Sequence, residues 1–208
     1  RFSRILDKYT DVKGNLAVAA IVLLGQEVWA TYLSQPSDRI IGVPVICAMI
    51  SSNSITLPKE GTDLSTWMPE PVYIKDLKDQ KCVLSGTGYN YDIEKNINII
   101  RNLYPGVKNF ALLTDNTFGG VVMQAHVRKV FGRHKDLKLI LLDGRTKDSK
   151  EIGSAIASLS PANSVLLLGT WRVDKNESYY LPTDIYSLSY ANKALPVFSL
   201  SSLGMGQW

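Results

Sequence analysis

Short apolar runs that end in Gly, Ser, Thr or Asp recur along the chain, and most are followed by a segment of helical period. They predict strands at 17–24, 44–49, 108–114, 138–143, 164–168 and 196–200. Most of these runs start about 25 to 32 residues apart, room for one strand, one crossover helix and two loops. Repeated βα units of that length predict an α/β fold of parallel sheets with helices on both faces, a Rossmann-like three-layer αβα arrangement. The run from Leu16 to Gly25 reads as a strand buried on both faces; it is too short to span a bilayer and is followed by Gln26 and Glu27.

The intervening segments carry helical stripes. In 92–104, Ile93, Ile97, Ile100 and Tyr104 follow i, i+4, i+7 and i+11, with Asp92 as N-cap and Pro105-Gly106 as the stop. Met123, Val127, Val130 and Phe131 form a stripe in 118–132. In 149–159, Ile152, Ala155, Ile156 and Leu159 share a face that opens with Asp148 and Glu151, a pair spaced as a capping box. A shorter helix with Ile185 and Leu188 follows Pro182-Thr183, and 2–13 and 27–34 complete the set.

One interval breaks the rhythm. Between the strands at 44–49 and 108–114 only 92–104 is helical, and the stretch from Ser51 to Pro71 holds Pro58, Gly61, Pro69 and Pro71. It reads as an excursion between two lobes. Val72-Tyr73-Ile74 and Lys81-Cys82-Val83-Leu84 suggest one or two further strands, after which Ser85-Gly86-Thr87-Gly88-Tyr89 carries the chain across. The expected lobes are 1–85 and 86–196, with 197–208 returning toward the first. Such a fold sets the carboxyl ends of two parallel sheets on a shared cleft, where open α/β sheets bind ligands.

Composition agrees with a packed chain: 45% of the 208 residues are hydrophobic and 20% charged. The net charge of +4 is spread along the chain, and its densest basic stretch, Arg128, Lys129, Arg133, Lys135 and Lys138, lies at a helix end with no aromatic residues interleaved. That pattern points away from nucleic acid. The chain starts at Arg1 without an initiator Met and stops in an apolar stretch at Trp208, as expected of a piece of a longer protein.

Groups for catalysis or metal binding are sparse. His126 and His134 stand eight apart with no acidic residue at ligand spacing, and Cys47 and Cys82 lack metal spacing, Cys47 reading as a buried thiol. Gly86-Thr87-Gly88 has no third glycine, and no phosphate loop or nucleophile elbow occurs, so no cofactor and no catalytic residue is expected. The strand ends are instead rich in neutral hydrogen-bonding side chains. The candidate ligand-binding set is Gln26, Glu27, Ser51, Ser52, Thr114, Asn116, Thr117, Phe118, Arg145, Thr170, Trp171 and Ser201. Thr114 to Gly119 lies between a strand and a helix N-terminus, which suits an anionic or strongly polar ligand group. Trp171 is the candidate aromatic wall; the alternative packs it under the next loop with Tyr179 and Tyr180. Arg145 and Arg172 suit a ligand carboxylate or phosphate, or salt bridges to Asp143 and Asp174. Asp115 reads as a loop or cap residue.

The segments Tyr91-Asp92-Ile93-Glu94-Lys95-Asn96-Ile97, Leu103-Tyr104-Pro105-Gly106-Val107-Lys108, Leu113 to Gly120 and Leu195-Pro196-Val197-Phe198 occur in an order that resembles the periplasmic-binding-protein-like family of ABC-transporter substrate-binding domains. Within it, the chain looks most like the extracytoplasmic sensor domains of bacterial two-component histidine kinases, often hybrid ones. The resemblance spans roughly residues 15–208, and its distinctive junction is the helix followed by Tyr-Pro-Gly-Val. It implies a type I periplasmic-binding-protein-like, hinged two-lobe receptor in the periplasm. Closure on a small molecule would signal to a kinase through a membrane-anchored parent, with a homodimeric partner and no nucleic acid. A full domain of this kind would place the first strand of lobe one before Arg1 and its last elements beyond Trp208. The same fold also serves solute-binding proteins of ABC transporters. A Rossmann-like enzyme is a third reading, weakened by the lack of a base and nucleophile pair.

Overall fold

A computed structural model describes residues 2–11, 16–34, 43–51, 54–59, 61–73, 84–181 and 183–200. In chain order the elements are α1 (Phe2–Lys8), β1 (Ile21–Leu24), α2 (Gln26–Leu33), β2 (Val45–Ser51), β3 (Ser54–Ile55), β4 (Val72–Tyr73), β5 (Leu84–Tyr89) and α3 (Ile93–Leu103), then β6 (Asn109–Thr114), α4 (Phe118–Phe131), β7 (Lys138–Asp143), α5 (Ser149–Ala157), β8 (Ser164–Leu168), α6 (Asp184–Ser189) and β9 (Val197–Ser199). The chain divides into two compact units, Arg1–Thr62 with Pro71–Asn90, and Asp63–Glu70 with Tyr91–Trp208. The fold class is α/β with parallel sheets, as the βα rhythm predicts.

In the second unit the strand order is β7-β6-β8-β9 and every pair is parallel. The central strands are the greasiest: β8 is buried at all five positions, and β6 from Phe110 to Thr114. Their period-2 alternation feeds two cores. Phe110, Leu112, Val165 and Leu167 pack with the stripe Ile93, Ile97 and Ile100 of α3 and with Met123, Val127 and Phe131 of α4. Ala111, Leu113, Leu166 and Leu168 pack with Ile152 and Ile156 of α5 and Leu188 of α6. The result is three layers, helix, sheet and helix. The caps fall where the sequence puts them: Asp92 Oδ1 accepts from Lys95 N at 2.9 Å, and Asp148 and Glu151 close a reciprocal capping box at 2.9 Å each way.

The first unit carries a smaller parallel sheet, β1-β2-β5. Strand β1 starts at Ile21 rather than at 17, because its ladder begins where Ile21 meets Val45. Helix α2 buries Trp29, Ala30 and Tyr32, and Leu23, Val45 and Cys47 are buried. The alternate residues Val22, Leu24 and Ile46 are 62%, 64% and 49% exposed, so the expectation of a first strand buried on both faces is not met.

Two further expectations need correction. The glycine-containing segment Ser85–Tyr89 is not a crossing between lobes but belongs to strand β5, paired with β2. Its legibility was poor because it lacks apolar alternation, while its glycines serve close approach: a Cβ at Gly86, where φ is 147°, would collide with the Cys47 carbonyl. Opposite it, the register of β2 shifts between Cys47 and Ile50, and Met49 takes φ 57°. Likewise Val197–Ser199 is no return segment; it pairs with β8 as the edge strand of the second sheet. The remainder of that expected return, 201–208, lies outside the described residues. Among the described residues, the excursion after Ser51 contains the two-residue antiparallel pair β3 and β4. Between them, Asp63–Glu70 belongs to the second unit although its sequence neighbours on both sides belong to the first.

Candidate functional site

After β6 the chain crosses by α4 to β7 on one side, and from β7 it returns by α5 to β8 on the other. The strand order therefore reverses between the carboxyl ends of β6 and β8, the place where open α/β sheets form a crevice. Asp115, one residue beyond β6 and 1% exposed, fills that place. Its Oδ1 accepts from the hydroxyls of Thr117 at 2.6 Å and Thr170 at 2.9 Å and from Thr117 N at 3.3 Å, while Oδ2 accepts from Arg172 N at 2.9 Å. One carboxylate thus ties the β6 loop to the β8 loop. Thr117 caps α4 by accepting from Gly120 N at 3.2 Å. The close approach depends on glycine, since a Cβ at Gly120 would collide with the Asp115 carbonyl and carboxylate.

A second network lies beside the first. Arg145 follows β7 and its side chain is 4% exposed, yet each of its guanidinium hydrogens has an acceptor. Nε and Nη2 grip the Asp143 carboxylate at 2.7 to 3.1 Å, and Nη2 also donates to Gln124 Oε1 at 2.6 Å. Nη1 donates to the carbonyls of Trp67 at 2.6 Å and Leu64 at 3.4 Å. Gln124, 2% exposed in α4, passes the chain on by donating from Nε2 to the Thr114 hydroxyl at 3.2 Å. Burial works to raise the Asp143 carboxyl, but the hydrogen bonds and charge of Arg145 outweigh it and hold the group below the usual carboxylate range.

The segment Asp63–Glu70 is fastened by those two carbonyl contacts. Its Asp63 carboxylate accepts from Ser65 N and Oγ at 3.0 and 2.8 Å, forming a local turn. Half-buried Trp67 stacks on Phe118, the first residue of α4, with ring centroids 6.0 Å apart and planes 28° from parallel.

The structure brings Thr114, Asn116, Thr117, Phe118, Arg145, Thr170 and Trp171 to the carboxyl edge of the second sheet, in several roles. Trp171 is 2% exposed, packs 5.3 Å from Tyr180 and belongs to the core, so its place is the packing alternative and not an open aromatic wall. Arg145 is engaged by Asp143 and the 63–70 segment, leaving no guanidinium hydrogen for a ligand in this arrangement. Asp174 pairs with Tyr180 Oη at 2.7 Å, and Arg172 contributes its backbone N–H to Asp115. The Thr170 hydroxyl donates to Asp115, and the Thr114 hydroxyl accepts from Gln124 Nε2. Asn116 N donates to Val173 O at 2.8 Å, and its buried Oδ1 has no hydrogen-bond partner among the described residues.

In the first unit, Gln26 opens α2 and its Oε1 accepts from Ser51 N at 2.6 Å, joining two of the expected residues; Glu27 beside it is exposed. Ser52 and Ser201 lie outside the described residues. Sequence reasoning missed Trp67 and Gln124. Gln124 was legible only as a polar residue next to an apolar stripe, and Trp67 as a lone aromatic in a proline-rich stretch. The described residues contain no cluster of His, Cys, Asp or Glu placed to hold a metal, and no helix long and apolar enough to cross a membrane. Of the two histidines, burial first, and then the charge of Lys129, keeps the His126 imidazole below its ordinary value despite its contact with Tyr91 O.

Compared with family models, with curated proteins and with solved structures, the chain matches none.

Proposed function

We propose that the chain is a small-ligand-binding domain of the type I periplasmic-binding-protein-like kind, acting as the extracytoplasmic sensor of a two-component histidine kinase. The family part of this reading rests on the ordered segments around Tyr104-Pro105-Gly106-Val107, which in the fold form the stop of α3 and the entry to β6. The binding part rests on one observation: at the carboxyl edge of the second sheet, the ionisable groups Asp115, Asp143 and Arg145 are consumed by internal hydrogen bonds. Groups so saturated build a rigid rim, and proton transfer needs a group with an open valence at the reacting atom. A rim of this construction supports recognition by shape, stacking and neutral hydrogen bonds.

The test is a thermal-shift screen of the chain against sugars, amino acids, nucleobases and organic acids. A compound that binds only the native state adds about 2.7 kcal/mol of stability at a hundredfold excess over Kd, and at least one class should raise the melting temperature. If none does, ligand sensing is wrong. Ligand-dependent phosphorylation in the membrane-anchored parent then separates a kinase sensor from a transporter component.

A further inference from the structure

Trp67 occupies a position that its surroundings over-determine. Its carbonyl is held at 2.6 Å by a guanidinium that is itself 4% exposed and clamped on Asp143. Its ring lies on Phe118, a residue only 7% exposed at the first turn of α4. Trp67 is nevertheless only half-buried. An indole backed by a second ring and fixed through its own backbone loses little freedom when a ligand covers it, which is what a stacking platform requires. The other two described indoles cannot serve in this way, because Trp29 is 0% and Trp171 2% exposed.

The neighbouring chemistry narrows the class of ligand. The N-terminus of α4 would ordinarily attract an anion, but the Asp115 carboxylate already sits there and takes the hydroxyl and N–H of Thr117. Arg145 is neutralised by Asp143 at 2.7 Å. The charge that Arg145 would offer a carboxylate or phosphate at this edge is therefore spent.

We propose that Trp67 is the ligand-facing aromatic of this site, that Arg145 is its positioning residue, and that the ligand presents a flat, uncharged ring face. This rests on the small-ligand reading above and deepens it.

The experiment uses the full chain carrying Trp208→Phe; with Trp29 and Trp171 buried, the emission that acrylamide can quench is then that of Trp67. Adenine, uracil and methyl glucopyranoside are the ring probes; glutamate, citrate and phosphate are the charged ones. At least one ring probe should alter Trp67 emission and raise the melting temperature. Trp67→Ala should weaken that probe about tenfold or more, with Trp67→Phe retaining most of the affinity. Arg145→Lys should raise acrylamide quenching of Trp67 and weaken the same probe, and adding Trp67→Ala to it should cost no further affinity. Equal ring-probe affinity in wild type and Trp67→Ala overturns the assignment of Trp67 while the binding reading stands. Binding of the charged probes alone also overturns it. Loss of affinity in Arg145→Lys with unchanged quenching removes the positioning role, and silence from every probe removes the functional reading itself.

Discussion

Removing the Arg145 guanidinium would leave the Asp143 carboxylate buried and unpaired, together with two carbonyls of the 63–70 segment and Gln124. Arg145→Met should cost about 3–5 kcal/mol, the usual penalty for breaking a buried pair from one side. The double variant Asp143→Leu/Arg145→Met should be less costly than Arg145→Met alone, because it removes the stranded charge. Urea unfolding of the wild type, Arg145→Met, Asp143→Leu and the double variant measures this, and a double variant as unstable as the sum of its singles would mean the pair is not coupled. The same pair sets an acid limb. Since the folded Asp143 carboxyl lies below its ordinary value of about 3.9, it contributes stability above that pH and loses it as pH falls through the folded value. The pair was visible in the sequence only as one of two readings of Arg145. Choosing between them needed the carbonyls of Leu64 and Trp67, about 80 residues away in the chain, a separation that spacing rules cannot bridge.

At the scale of elements, the two adjacent glycines that open α4 make a contrast that composition hides. A Cβ at Gly119 would meet only the Thr117 hydroxyl at 3.7 Å, an ordinary contact, whereas one at Gly120 would run into the Asp115 backbone. Gly119→Ala should therefore be neutral or stabilising by up to about 1 kcal/mol through helix propensity. Gly120→Ala should cost about 2 kcal/mol or more, since the helix must move off the β6 loop. Chemical denaturation of the two variants checks the difference; equal effects would mean that α4 does not press on Asp115. Elements with strong period were legible: α3, α4 and α5, and strands β6, β7 and β8, begin and end within about two residues of their expected places. Strand β5 was not. Leu-Ser-Gly-Thr-Gly-Tyr carries no alternation to read, and its pairing depends on Gly86, whose missing side chain lets it lie against the Cys47 backbone of β2.

For the whole molecule, two compact units, each with its own parallel sheet, predict that unfolding is not a single cooperative event. The first unit, with a three-stranded sheet whose Val22, Leu24 and Ile46 stay exposed, should unfold at lower denaturant than the second. Trp29 emission should report the earlier transition and Trp171 emission the later one, each isolated by replacing the other indoles with Phe. Coincident transitions would refute the separation. What the sequence alone determined is the α/β class, the parallel direction of its six apolar strands and the faces of its main helices, because periodicity is a local property that survives without knowledge of partners. The tertiary structure alone decided that Asp115 plugs the switch point, that Trp171 goes inward while Trp67 stays half-buried, and that Asp63–Glu70 packs with the second unit. Each of those outcomes depends on which distant group supplies the missing hydrogen bond or ring face, and a buried polar group takes whatever partner the fold brings within reach.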